Sequence, residues 1–457
     1  MTIDRTTAPA PGPIREFSFP AVERRTFDNG LTLLHARHGV VPLVTVRALI
    51  DAGATVEDAG EEGVAWLAAN ALEGGTLRRS GEDLAWELER LGAELSTWVT
   101  WDSLNVSLTA RADRLPDALS LLAEIVREPA FPEREVARMR DEQLAEILRR
   151  STEPRGLADD SATRFIYAET STYHRPLMGT DAQVRRLGRD AVVRFHQRCV
   201  TPEGAAIVVV GAVDTAEAES QVRTAFGDWT GPAGARRHAT AVPRRDRTRV
   251  VIVDRPSAVQ SELRIGHVGV PRDHADYFPL LVFNALLGGA FTSRLNLSLR
   301  EKHGFTYGVR SAFAFRRAAG PFVIQTAVAS DVTARAVAET LREIREIQQN
   351  GVTEEEVAAA RDFIAGTLPL QMQTTEQLAG RIADLHTFDL PTDYFAFHRP
   401  RVNAVTRKDV EHVAREHVNL HGLAIVVVGN RAAIEDDLRA LDLGELSVHD
   451  SADAEAP

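Results

Sequence analysis

The chain has 457 residues, too many for one hydrophobic core, which stops growing at roughly 250–300 residues, so at least two domains are expected. Hydrophobic residues make up 44% and charged residues 26%, the mix of an ordinary globular protein. The formal charge is −12 and lysine occurs only at Lys302 and Lys408, which argues against a nucleic-acid partner, since phosphate backbones need clustered cations.

Residues 1–19 hold Pro9, Pro11 and Pro13 and no apolar run, so they read as a disordered segment and not as a signal peptide. No stretch reaches the ~20 apolar residues of a membrane span. Cys199 is the only cysteine, so no intrachain disulfide and no thiolate zinc cluster is available, which fits a reducing, cytoplasmic setting.

Thr26–Leu31 carries the Asn29-Gly30 signal of a tight hairpin, and Val44–Leu49 reads as a short apolar strand. Ala112–Arg127 puts Leu115, Ala118, Leu119, Leu122 and Ile125 on one helical face, and Glu133–Arg149 repeats the pattern. Asp190–Val200 is a further helix, followed by the strand Ala206-Ile207-Val208-Val209-Val210-Gly211. The same strand recurs as Ala424–Gly429 behind the helix Asp409–Val418, and Ala71–Gly75 is echoed by Ala285–Gly289. From Ala206 to Ala424 and from Ala71 to Ala285 the offsets are 218 and 214 residues, so the chain reads as one unit used twice.

Thr230–Thr248, with Gly231, Pro232, Gly234, Pro243 and several arginines, reads as a linker. The expected layout is a domain over 20–229, a linker over 230–248, a second domain over 249–445 and an acidic, disordered tail over 446–457. Strands and helices come in blocks, so each domain is expected to be α+β, with helices on one face of a mostly antiparallel sheet. His412, His417 and His421 form a His-rich stretch, but with no Glu between the last two they read as a solvated helix face.

Gly63-Val64-Ala65-Trp66-Leu67-Ala68-Ala69-Asn70-Ala71-Leu72-Glu73-Gly74-Gly75-Thr76 resembles the zinc helix of the pitrilysin/insulinase family of metallopeptidases. That helix carries His-x-x-Glu-His, two metal ligands four residues apart and a Glu acting as general base on the zinc-bound water. Here those positions are Trp66, Ala69 and Asn70, so both His ligands and the base are missing. The third ligand, a Glu about 75 residues further on in the family, falls on Ala145, with Glu146 beside it. Since a catalytic zinc needs three protein ligands, no metal is expected in this chain.

The resemblance runs from about Phe27 to Gly429. It implies that Ser96, Thr97, Trp98 and Val99 belong to an edge strand that pairs with an extended peptide, and that His174-Arg175-Pro176 through Gly179-Thr180 is a family segment. It also implies that Arg300 and Tyr307, seven apart after Gly288-Gly289 and around Gly304, face the substrate. Arg300 would hold a peptide carbonyl and Tyr307 would donate to the oxyanion. By this resemblance two homologous domains form one side of a clam-shell. The chain is then expected to be inactive alone and to act as the non-catalytic subunit of a heterodimer whose homologous partner has the intact motif and the zinc. The alternative is a structural or peptide-binding subunit resembling respiratory-complex core proteins.

Overall fold

Ala206–Gly211 and Ala424–Gly429 are uninterrupted runs of apolar or small residues, and each is buried along its whole length. A strand alternates its side chains between two faces, so such a run needs both faces covered. The computed structural model, which describes residues 17–39, 41–232, 239–244 and 247–450 together with Gly12, shows how this is met.

The first domain runs β1 (Glu23–Thr26), β2 (Thr32–Arg37), β3 (Leu43–Ile50), α1 (Val64–Ala71), α2 (Gly81–Leu91), β4 (Glu94–Val99), β5 (Leu104–Arg111) and α3 (Leu115–Arg127). It continues through α4 (Glu133–Thr152), α5 (Pro154–Ile166), α6 (Asp181–Val184), α7 (Arg189–Cys199), β6 (Ala206–Gly211) and α8 (Thr215–Phe226). The second runs β7 (Arg249–Asp254), β8 (Gln260–Val268), α9 (Tyr277–Asn284), a wide-turn helical segment Asn296–Lys302, β9 (Val309–Phe313), β10 (Pro321–Ala329) and α10 (Thr333–Asn350). Then follow α11 (Glu354–Thr367), α12 (Thr375–Thr387), α13 (His398–Ala404), α14 (Arg407–His417), β11 (Ala424–Gly429), α15 (Arg431–Ala440) and β12 (Glu445–Asp450).

Among the described residues there are two six-stranded sheets, ordered β1-β2-β6-β3-β5-β4 and β12-β7-β11-β8-β10-β9. Neighbours are antiparallel except β2–β6 in the first and β7–β11 and β7–β12 in the second. Val208 sits between Leu34 and Arg47, and Val426 sits between Val251 and Arg264, so the repeated strands hold equivalent central places. The duplication is one of topology as well as sequence over five strands of each sheet, while the outermost differ: β1 precedes β2 and runs antiparallel to it, and β12 closes the chain's second domain parallel to β7.

Two features differ from expectation. First, helices cover both faces of each sheet. Ile207 and Val209 enter the first domain's core, while Val208 and Val210 pack under Leu378, Ala379 and Ile382 of α12, a helix of the second domain. In return, Leu157, Ala158 and Phe165 of α5 cover Val426 and Val428 in the second sheet. The domains exchange helices, which joins them through apolar burial. Second, residues 446–450 belong to β12 and not to a tail. Leu446 and Val448 pack against the second core, and the strand supplies β7 with a ladder partner. Residues 451–457, and most of the N-terminal segment expected to be disordered, lie outside the described residues.

The described part of the linker is pinned to the first domain: Val242 O accepts from Ala168 N–H at 2.8 Å and Thr240 O from Ser171 Oγ at 2.7 Å. A polar lock completes the join. Arg317 pairs with Asp51 and donates from Nε to Thr387 O at 2.7 Å, while Asp102 accepts from the Arg317 amide and from Tyr173 Oη, both at 3.1 Å. No helix among the described residues is long and apolar enough to cross a membrane.

Candidate functional site

The site is built around α1, whose entry is fixed from three sides. Gly63 precedes the helix with φ +94, and a side chain there would bring Cβ to 2.5 Å from Met178 O. Glu57 accepts from the N–H groups of Gly63 (3.1 Å) and Ala65 (2.9 Å), so a carboxyl group caps the positive end of the helix. Burial pushes that carboxyl up to about 8. Gln143 of α4 is fully buried and donates from Nε2 to Gly63 O at 3.0 Å and Met178 O at 2.8 Å, tying α1, α4 and the 174–180 segment into one node.

This node presents Trp66 and Asn70, four residues apart, on the half-buried face of α1. Trp66 packs at the margin of the first core. Asn70 Nδ2 donates back to Trp66 O at 2.8 Å, so its amide is committed to its own helix. Ala69 is fully buried. Glu73, in the turn just past the helix and exposed, accepts from Thr97 Oγ1 of β4 at 3.1 Å.

Along α4 the buried stripe is Val136, Met139 and Gln143. Ala145 lies on the exposed side of that helix. Glu146 is half-buried and paired with Arg149 at 2.5 Å, which holds its carboxyl below the usual range. An indole, a methyl, a committed amide and one ion-paired carboxylate are not a zinc donor set, which needs three imidazole, thiolate or carboxylate ligands. The residues at α1 do not fit a catalytic metal.

Beside α1, β4 is the outer strand of its sheet and pairs with β5 alone among the described strands. Val99 enters the core, Thr97 faces Glu73, and Trp98 lies under the Arg47 guanidinium at 4.5 Å. Ser96 is half-buried on the same strand.

Arg300 lies in the helical segment Asn296–Lys302. Its guanidinium covers the Phe291 ring at 4.2 Å and lies 2.9 Å from the Glu301 carboxylate. Tyr307 stands in the loop beyond Gly304, which has φ +64, and is 95% exposed. The next strand, β9, begins only at Val309. The cause is Asn296, whose side chain accepts from Val309 N–H at 3.2 Å and donates to Val309 O at 2.8 Å, while Thr306 Oγ1 accepts from Gly308 N–H at 3.1 Å and closes the turn. Tyr307 is thereby lifted clear of the sheet.

Residues 35–181 match the family profile described as "Insulinase (Peptidase family M16)", and residues 186–363 match that described as "Peptidase M16 inactive domain". The chain belongs to the M16 peptidase family. Among its M16 relatives is an "uncharacterized zinc protease" of Mycobacterium tuberculosis, 25% identical over 434 residues and covering 92% of this chain and 97% of that one. A protein of Helicobacter pylori named a "non-peptidase homolog" is 20% identical over 405 residues, covering 87% and 92%. The solved structure of a "peptidase M16 inactive domain" from Pseudomonas fluorescens superimposes with TM-score 0.83 at 26% identity, over 90% of this chain and 98% of that one. The α+β architecture of two six-stranded sheets is thus the M16 fold, and the stretch from α7 of the first domain into α11 of the second is of the type described as inactive.

Proposed function

We propose that this chain is the non-catalytic subunit of a two-chain M16-type metallopeptidase. A homologous partner with an intact His-x-x-Glu-His motif holds the zinc. The two chains close as a clam-shell around a peptide, and this chain contributes Arg300 and Tyr307 to the partner's reaction site. The observation that carries the proposal is the contrast between two places in one molecule. At α1 the ligand and base positions are an indole, a buried methyl and a committed amide. At the second domain an exposed tyrosine is held out by a built turn, and a side chain so placed contributes almost nothing to this chain's own packing.

In that role Arg300 offers a planar donor fork to a peptide carbonyl, and Tyr307 offers its hydroxyl to the oxyanion of the tetrahedral intermediate. The free edge of β4 supports peptide binding by strand addition. The single Cys199 supports a cytoplasmic, reducing setting.

The test is reconstitution with a zinc-bearing homologue from the same genome. Alone, this chain cleaves no peptide. Mixed with the partner, it forms a complex by size-exclusion chromatography and raises peptidase activity. Complex formation with no effect on activity would favour a purely structural or peptide-binding subunit, and no complex would overturn the proposal.

A further inference from the structure

Away from α1, the fold gathers a donor set that the sequence spreads apart. His274 and Asp276 lie between β8 and α9, with Asp276 immediately before the helix, and His417 is the last residue of α14. His417 Nε2 is 2.7 Å from Asp276 Oδ2, and His274 Nδ1 is 3.9 Å from the same oxygen. The two imidazole rings meet edge to face with centroids 4.8 Å apart. Ligand atoms of all three residues lie within 4.8 Å of one another, and all three are half-buried. His421, which the sequence set beside His417, falls beyond the end of α14 and takes no part.

The duplicated fold provides an internal control. Asp58 stands eight residues beyond the end of β3, as Asp276 stands eight beyond the end of β8. Asp58 pairs with Arg198, in the last turn of α7, the counterpart of α14. In the first domain a guanidinium–carboxylate pair therefore staples this loop to this helix. A staple needs one cation. The second domain instead has two imidazoles converging on one carboxylate.

We propose that His274, Asp276 and His417 form a site for a zinc-class divalent cation, separate from the degenerate position on α1. Two imidazole nitrogens and a carboxylate select zinc, nickel or copper over magnesium or calcium, and three protein ligands leave a fourth position for water. At bond lengths of about 2.0–2.2 Å a tetrahedral ion holds its ligands roughly 3.3 Å apart. To reach that spacing the Asp276–His417 contact opens from 2.7 Å and His274 closes from 3.9 Å on the Asp276 oxygen. The ion takes the His274 Nδ1 lone pair that accepts Asp276 N–H at 3.1 Å, and takes the place of the proton between His417 and Asp276. At the junction of loop and helix the ion is a structural clamp. This departs from the expectation of a metal-free chain, which rested on α1 alone, and zinc found on this chain is not evidence of a peptidase centre.

Equilibrium dialysis of the chelator-stripped full chain against zinc chloride tests the site. One ion per chain is expected. His274→Ala and His417→Gln should each weaken binding by more than the roughly 10–100-fold typical of losing an outer hydrogen-bond partner of a ligand. In the His417→Gln variant the new side-chain amide can still donate to Asp276, so circular dichroism should match wild type. Absence of binding to wild type, or binding unchanged in both variants, overturns the proposal. Loss on Glu146→Ala with retention in His417→Gln also overturns it and moves the ion to α4.

Discussion

Arg47 and Arg264 are the same residue of the repeated unit: Arg47 lies across from Val208 in the first sheet and Arg264 across from Val426 in the second. Each is covered by the helix that the other domain contributes. Arg264, 2% exposed, donates to Asp159 of α5 at 2.6 Å and to Glu262 at 2.9 Å. Arg47 donates to Asn105 at 2.7 Å and lies in the field of Asp384 and Glu376 of α12. A cation, buried at Arg264 and half-buried at Arg47, thus lies under each exchanged helix.

Arg264→Ala should therefore destabilise the whole chain. Removing one partner of a buried pair costs ~3–5 kcal/mol, and the partial exposure of Asp159 puts the expectation near the lower end. Urea unfolding checks it. Because α5 joins the two sheets, the transition should remain single. A separate early transition of one domain would show that the exchanged helices do not couple them.

Glu57 gives the chain a pH signature. Burial holds its carboxyl up to about 8, against an ordinary 4.5. The stabilisation linked to this group is complete below about 4.5 and is lost as pH rises towards 8, because the unfolded chain releases the proton first. Glu57→Gln keeps an acceptor for Gly63 and Ala65 and removes the titration. The melting temperature of the variant minus that of wild type should grow from pH 5 to pH 8. A constant difference would mean that the Glu57 carboxyl titrates alike in folded and unfolded chains.

Restoring the base on its own should damage the fold. Ala69 is fully buried in the first core, so Ala69→Glu adds volume and a carboxyl group to packed apolar surroundings. Overpacking and an unpartnered polar group each typically cost ~1–3 kcal/mol, so a loss of about 3 kcal/mol is expected, with no gain of peptidase activity. Calorimetry and a fluorogenic peptide read the two outcomes. An unchanged melting temperature would show that the position still has room for the family's base.

Much of this was legible in the sequence. The twin Ala-Ile-Val-Val-Val-Gly strands gave away the duplication because a strand is a local apolar pattern, and Leu115, Ala118, Leu119, Leu122 and Ile125 are all buried, as their helical spacing requires. The exchange of α5 and α12 was not legible. An unbroken apolar strand states that both faces are covered but does not name the helix that covers them. β12 was hidden by its acidic setting, although Leu446 and Val448 alternate as a strand should. The exposed turn carrying Tyr307 was not legible either, because Asn296, thirteen residues before Val309, holds the start of β9 through both of its backbone groups, a pairing without a local mark. The meeting of His274 and Asp276 with His417 depends on α14 packing beside α9, a long-range event without a local mark.

The most direct measurement is the steady-state peptidase rate of the reconstituted pair with wild-type chain and with Tyr307→Phe, with association checked by size-exclusion chromatography. Tyr307 is 95% exposed, so the substitution should leave folding unchanged within about 0.5 kcal/mol. Loss of one oxyanion donor typically lowers kcat by ~10²–10³-fold, and a drop of that order at unchanged association is the predicted result. Equal kcat and KM in the two pairs would contradict the account and leave this chain a structural subunit.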